Sequence, residues 1–140
     1  DIMTDIEQAK ALLEKEQATC VFYKGEYTFF SKERGVLPLL NLLQKEENLG
    51  DFSVADKVVG KAAAFLYVLL KVKSLYAKVI SKHALGVLKT YDIQVEYDEL
   101  VEAIRNRTNS GFCPMETAVL EINEPKKALE AIRLKLNELR

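Results

Sequence analysis

The predicted architecture depends on the sequence SVADKVVGKAAAFLYVLL, residues 53–70. Ser53 and Asp56 have the spacing of a capping box, in which Ser53 caps a helix and Asp56 reaches back to the cap. From residue 58 onward nearly every side chain except that of Lys61 is apolar, as expected of a helix that is buried on all sides. We therefore predict a buried central helix over residues 54–70.

Two lysines and a glycine interrupt this predicted helix. Lys57 and Lys61 are four residues apart and would share one helix face, which is usually a solvated stripe. A lysine on a buried helix needs a partner or a ligand, because burying an isolated ammonium group is very costly, and this applies above all to Lys61. Gly60 lowers helix propensity, which suggests the close approach of a backbone or a ligand, with close helix packing as the simplest cause.

The segments on either side alternate between strand and helix patterns. Residues 75–80 and 93–97 are predicted strands with a short helix over residues 81–90 between them, and this order predicts parallel strands joined by helical crossovers. Residues 19–23 and 26–31 are rich in β-branched and aromatic side chains, which predicts an antiparallel β-hairpin. We expect the hairpin and the parallel strands to form one sheet.

Further helices are predicted around the prolines and at both ends of the chain. They cover residues 4–17, 35–43, 98–105, 114–122 and 124–140. With 49% hydrophobic and 29% charged residues, the 140-residue chain is expected to form a single compact domain over residues 1–140. The predicted fold class is α/β, as a three-layer α/β/α sandwich with a mixed sheet and an N-terminal β-hairpin.

Charge and hydropathy exclude several classes of partner. The net charge of −1 is dispersed along the chain, so the electrostatic field gives no reason to expect nucleic acid or an anionic membrane surface. No apolar run has the length of a membrane span, and residues 1–15 are acidic where a signal peptide would be basic and then apolar. Cys20 and Cys113 are the only cysteines and are expected to be reduced thiols. We expect a cytoplasmic protein without a membrane partner.

The sequence NRTNSGFCPME, residues 106–116, is the strongest candidate for a site. This polar loop leads into a predicted helix whose first N–H groups could hold an anion or a thiolate. Asn106 and Arg107 could either tie down the loop or bind a phosphate or carboxylate. Cys113, at the helix start, is either a poor helix cap or a nucleophilic thiolate that is stabilised by the helix and by Arg107.

Several separated motifs resemble, in the right order, the family labelled domain of unknown function 1893. They are Gly35-Val36 with Pro38-Leu39-Leu40, residues 54–64, Val79-Ile80-Ser81, Asn106-Arg107 and Cys113-Pro114-Met115-Glu116. The resemblance extends over residues 19–122 and implies a fold similar to that of cytidine deaminase. Zinc deaminases resemble one another in carrying His-Ala-Glu or Cys-Ala-Glu at the start of a buried helix and Pro-Cys-x-x-Cys at the next helix.

Compared with that pattern, the zinc site is expected to be lost. The corresponding places look like residues 54–56 and 81–84, where Val54 cannot bind a metal and both cysteines of the second motif are missing. His83 and Asp56 alone are too few, because a zinc site needs three or four ligands. We therefore expect no metal and no cofactor. Asp56 would then stand where the family places its proton shuttle, although the capping box alone could also explain it.

We predict that the domain binds a small anionic or nucleotide-like ligand in a cleft at the carboxyl edge of the sheet. The predicted ligand-binding side chains are those of Lys57, Lys61, Ser81, Asn106, Arg107 and Glu116. An alternative is a metal-independent enzyme in which Cys113 is the nucleophile or redox thiol and Asp56 the acid or base. A third possibility is a structural or interaction domain, for which a homodimer would be sufficient.

Overall fold

The computed structural model describes residues 2–106 and 108–140, which form a mixed α/β fold with a five-stranded sheet. The helices are α1 (Asp5–Lys15), α2 (Leu37–Gln44), α3 (Lys61–Leu70), α4 (Lys82–Thr90), α5 (Pro114–Val119) and α6 (Pro125–Glu138). The strands are β1 (Cys20–Tyr23), β2 (Phe29–Ser31), β3 (Ser53–Val59), β4 (Ser74–Ser81) and β5 (Gln94–Val101). A short 3₁₀ turn, Gly25–Tyr27, separates β1 from β2.

The strands are arranged in the order β2-β1-β3-β4-β5. β1 pairs antiparallel with both β2 and β3, whereas β3, β4 and β5 run parallel. The predicted union of a hairpin and parallel strands in one mixed sheet is thus confirmed. Because β1 runs against β3, the beginning of β1 lies beside the carboxyl half of β3, and Cys20 is directly opposite Asp56.

The predicted central helix is wrong in its first half. Residues 53–59 form β3 in the middle of the sheet, and α3 begins only at Lys61, with Gly60 as its N-cap. Since β3 has a strand on each side and is covered on both faces, its apolar side chains at Val54, Ala55 and Val59 are buried as completely as those of a buried helix, whereas Val58 near its end is exposed. Ser53 is therefore not a helix cap, and Asp56 does not belong to a capping box.

Two hydrophobic clusters cover the opposite faces of the sheet. α1 packs against β1, β3 and β4 through a cluster that includes Leu13, Ala55 and Tyr76. The main cluster includes Val54 and buried side chains of all five other helices. Because neighbouring residues of a strand point to opposite faces, Val54 and Ala55 place α3 and α1 on opposite sides of β3. The junction between β3 and α3 is therefore built into the core.

β5 continues through Val101, so the predicted helix over residues 98–105 is wrong. Its pairing with β4 extends to the end of the strand, where Leu100 lies opposite Ile80, and these ladder hydrogen bonds outweigh the local helix propensity. α5 and α6 correspond to the predicted helices over 114–122 and 124–140 but are shorter. Within the described residues, no helix combines the length and the apolar character needed to cross a membrane.

Candidate functional site

A cleft of about 730 Å³ opens at the carboxyl end of β3, beside the start of α3. Its walls come from β3, from the turn before α2, and from the segment between β5 and α5, with Leu139 contributing from the end of the chain. The volume is in the range of small-molecule sites. Because open α/β sheets bind ligands at the carboxyl ends of their strands, this cleft is the candidate functional site.

The cleft brings together most of the side chains that the sequence singled out. Its lining includes Asp56, Lys57, Asn106, Cys113 and Glu116. Two other predicted ligand-binding residues, Lys61 and Ser81, do not line the cleft. Arg107 lies outside the described residues, so its predicted role stays a prediction.

Asp56 is half-buried on β3, and its carboxylate is held by two hydrogen bonds. The Tyr67 hydroxyl of α3 donates to Oδ2 at 2.6 Å, and the Val58 N–H donates to Oδ1 at 3.2 Å. Desolvation raises the pKa of Asp56 to about 6, although hydrogen bonds offset part of the effect. Burial also raises the pKa of the Cys20 thiol, opposite Asp56 on β1. A carboxyl group that titrates near neutrality can accept hydrogen bonds from a ligand or exchange a proton with it.

Glu116 of α5 caps the N-terminus of α3. Its carboxylate accepts hydrogen bonds from the Lys61 N–H at 2.6 Å and from the Ala62 N–H at 3.0 Å. Gly60 permits this approach, because a Cβ on Gly60 would stand 2.7 Å from Oε2 of Glu116. Gly60 thus marks a close approach, but the approaching group is a side chain of this same chain. Glu116 occupies the position in which a helix N-terminus would otherwise hold an anion.

Lys61 and Ser81 also have partners within the fold. Lys61 is only 8% exposed, and its Nζ donates to the Leu120 carbonyl at the end of α5 at 2.9 Å. A carbonyl at a helix C-terminus carries partial negative charge, so it supplies the partner that a buried ammonium group needs. Lys57 lies on a strand, so the two lysines do not share a helix face. The Ser81 hydroxyl accepts the Ala84 N–H at 3.1 Å and caps α4.

The loop between β5 and α5 is held by its own hydrogen bonds. Asn106 Oδ1 accepts the Ser110 N–H at 3.0 Å, and Asn106 Nδ2 donates to the Ser110 hydroxyl at 3.1 Å. Arg105 Nε donates to Asn109 Oδ1 at 3.0 Å, and the guanidinium group lies over the Phe112 ring. Asn106 therefore ties down the loop, and this loop in turn fixes Arg105 beside the cleft.

Arg34 is a cleft residue that the sequence patterns did not single out. Arg34, Lys57 and Arg105 are exposed cations on the cleft lining. Neither Arg34 nor Lys57 forms an ion pair with the part of the chain that the structure describes. Gly35 follows Arg34 with φ of +76°, a left-handed conformation that glycine favours, and so turns the chain into α2. In the sequence, Arg34 and Gly35 indicate only a turn. Their position beside β3 results from the fold and is not visible in a local pattern.

The residues at the starts of α3 and α4 do not fit a zinc ion. The side chain of Lys61 is a hydrogen-bonded cation, and both carboxylate oxygens of Glu116 already accept backbone N–H groups. His83 is exposed. Across residues 2–106 and 108–140, no group of three His, Cys, Asp or Glu side chains is placed to hold a metal ion. The donors at hand fall short of the three or four ligands that zinc requires.

The fold and the cleft define a mixed α/β protein with a candidate ligand site at the carboxyl edge of its parallel strands. The family model described as "Domain of unknown function (DUF1893)" matches residues 8–136. The chain therefore belongs to the DUF1893 family. It is similar to the crystal structure of a DUF1893 family protein (TM1506) from Thermotoga maritima, with 33% sequence identity and a TM-score of 0.85 over 99% of this chain and 92% of that chain. No curated protein matches the chain.

Proposed function

We propose that the protein binds a small anionic or nucleotide-like ligand in the cleft. The observation that carries the proposal is the combination of three exposed cations, Arg34, Lys57 and Arg105, with apolar walls in one cavity. Guanidinium and ammonium groups are the usual protein donors to phosphate and carboxylate. The carboxylate of Glu116 accepts the N–H groups of α3 and forms no ion pair with these three cations in the described part of the chain, so they stay available to an anionic ligand.

We further propose that the fold is a three-layer α/β/α sandwich similar to that of cytidine deaminase. Two arrangements support this. α1 and α3 lie on opposite faces of the sheet, and α3 and α4 follow directly from the parallel strands β3 and β4. Zinc deaminases carry their reactive groups at the starts of two such helices. In this chain α3 begins at Lys61, not at residues 54–56, where the resemblance placed the first motif, and Ser81 is the N-cap of α4. Lys61 and Ser81 both have structural partners, so the proposed activity is binding without zinc chemistry.

The anion-binding proposal is tested by removing the cations at the cleft. Isothermal titration calorimetry would use pyrophosphate and the four common ribonucleoside monophosphates as probes. Arg34→Ala and Lys57→Ala are each expected to weaken the binding of these probes by about tenfold, since each removes a charge-assisted hydrogen bond. Binding should also weaken as salt concentration rises.

Lys126→Ala is the matched control, because Lys126 is exposed on α6 and does not line the cleft. This variant should bind the probes as the wild type does. Failure of all five probes to bind would refute the proposal, as would equal losses in Lys126→Ala and in the two cleft variants.

The enzyme alternative is favoured by one observation, which is that Cys113 and Asp56 line the same cleft. Cys113 is half-exposed at the N-cap of α5, whereas Cys20 is 4% exposed in the core. A thiol-specific colorimetric reagent should therefore modify Cys113 in the folded protein at least about tenfold faster than Cys20, which should react fully only in denaturant. Cys113→Ser separates the two signals. Equal rates for both thiols in the folded protein would remove the basis for Cys113 as a nucleophile.

A further inference from the structure

The two carboxylate oxygens of Asp56 each have unused capacity to accept hydrogen bonds. Tyr67 donates to Oδ2, and the Val58 N–H donates to Oδ1. Each carboxylate oxygen has two lone pairs, so each oxygen can accept one more hydrogen bond. Asp56 lines the cleft, so a ligand bound there would lie beside this carboxylate.

No cation neutralises this carboxylate within residues 2–106 and 108–140. The pKa of Asp56 is raised to about 6, because the desolvation that raises it has a larger effect than the hydrogen bonds that lower it. A ligand that donates hydrogen bonds to both oxygens would replace the lost hydration. The cleft therefore favours a ligand with two N–H groups side by side, the pattern by which guanidinium groups bind carboxylates.

The positive charges at the cleft determine which kind of ligand with two adjacent N–H groups is favoured. Guanidinium and amidinium ligands carry the pair but also a positive charge, which Arg34, Lys57 and Arg105 would repel. The guanine base offers the same pair in neutral form, as N1–H and the 2-amino group. Its nucleotides also carry phosphate groups, which these three cations attract.

The walls and the volume agree with such a ligand. Apolar side chains of the lining, which include Val36, Ala63, Ile104 and Met115, offer contacts to the faces of a base. The cavity of about 730 Å³ is large enough for a mononucleotide. A base in contact with Asp56 would place its phosphate nearer the solvent, where the exposed cations lie.

We propose that the cleft selects guanine nucleotides, with the base N1–H and 2-amino groups donating to the two oxygens of Asp56 and the phosphate lying towards Arg34 and Lys57. This inference rests on the proposed anion-binding function and adds the identity of the base. The two proposals can fail separately, because substitutions of Arg34 and Lys57 test phosphate binding whereas substitution of Asp56 tests recognition of the base.

The first test compares ligands on the unaltered protein. GMP, IMP and AMP are titrated calorimetrically at about pH 8, where a carboxyl group with a pKa of about 6 is ionised. IMP lacks the 2-amino group and should bind about tenfold more weakly than GMP, because one hydrogen bond to a charged acceptor is lost. AMP lacks both donors and should bind weaker still. Equal affinities for the three nucleotides would overturn the guanine inference and leave anion binding intact, whereas no binding of any nucleotide would overturn both.

The second test inverts the preference with Asp56→Asn. A carboxamide presents one acceptor and one donor, which complement the N1–H and the C2 carbonyl of xanthine. XMP should therefore bind the variant at least about tenfold tighter than GMP does, while the wild type prefers GMP. A gain of XMP binding cannot arise from unfolding. A folded Asp56→Asn protein that keeps the wild-type order would overturn the inference, and if the variant fails to fold, the wild-type series decides.

Discussion

Replacing Gly60 with alanine is expected to destabilise the protein by about 2 to 3 kcal/mol, although the backbone conformation of Gly60 is open to any residue. With φ of −97° and ψ of −179°, Gly60 is in extended geometry. The cost comes from the Cβ, which would collide with the carboxylate of Glu116. Glu116 could turn away only by giving up its hydrogen bonds to the N–H groups of Lys61 and Ala62. Two donors at the start of a buried helix would then lose their acceptor.

The cause is tested by a double-mutant cycle measured by urea unfolding. Glu116→Ala alone should cost a similar amount, because it removes the same two hydrogen bonds. In the Glu116→Ala background, Gly60→Ala should cost much less, so the two effects should differ from additivity by at least about 1 kcal/mol. Additive effects would mean that Gly60 and Glu116 are not coupled.

Gly86→Ala serves as the control for the chemical change itself. Gly86 lies inside α4, and nothing stands within 4 Å of the position that its Cβ would take. Alanine at this position should stabilise the protein by roughly 0.5 to 1 kcal/mol through its higher helix propensity. The opposite signs expected at Gly60 and Gly86 would separate a steric effect from a general effect of replacing glycine.

Ionisation of Asp56 is expected to lower the free energy of unfolding as pH rises from about 4 to 7. The pKa of Asp56 is raised from 3.8 to about 6 in the folded protein, so the folded state holds its proton in a range where the unfolded state has lost it. Stability is therefore greatest below the unfolded pKa and falls as pH rises through this window. The shift corresponds to at most about 3 kcal/mol.

Asp56→Asn isolates this contribution because an amide does not titrate in the window. The difference in unfolding free energy between Asp56→Asn and the wild type should grow in favour of the variant from about pH 4 to pH 7, by roughly 2 to 3 kcal/mol. Glu116, whose pKa is also raised by desolvation, titrates in both proteins and cancels in the difference. Parallel pH profiles of the two proteins would show that Asp56 ionises in the folded state as it does in the unfolded state.

The sequence was sufficient for most helices and strands on either side of residues 53–70, but it predicted a helix where β5 continues through Val101 and misled again inside residues 53–70. A buried strand and a buried helix are both apolar on all sides, so hydrophobic periodicity cannot distinguish them over six residues. Ser53 and Asp56 then supplied an accidental helix-cap spacing. Gly60 marked the true boundary, where β3 ends and α3 begins.

The part of the candidate site that consists of residues close together in the chain could be predicted from the sequence. Within the predicted segment 106–116, Asn106 and residues 113–116 do line the cleft, because they lie on the connection from β5 to α5 and at the start of α5. The contribution of Arg34 depends on the pairing of β1 with β3, a contact between distant segments that no local pattern encodes. The partners of Lys61 and Glu116 were hidden for the same reason, since each joins α3 to α5 across more than fifty residues.

Because a side chain of α5 caps α3, two backbone amide protons at the start of α3 report whether α5 stays in contact with α3. In most helices the first N–H groups face solvent or a neighbouring residue, and their exchange with deuterium reports fraying. The N–H groups of Lys61 and Ala62 are instead bonded to Glu116, which lies on the wall of the cleft. Their exchange rates therefore measure how often that wall separates from α3, at two positions that can be followed without any ligand.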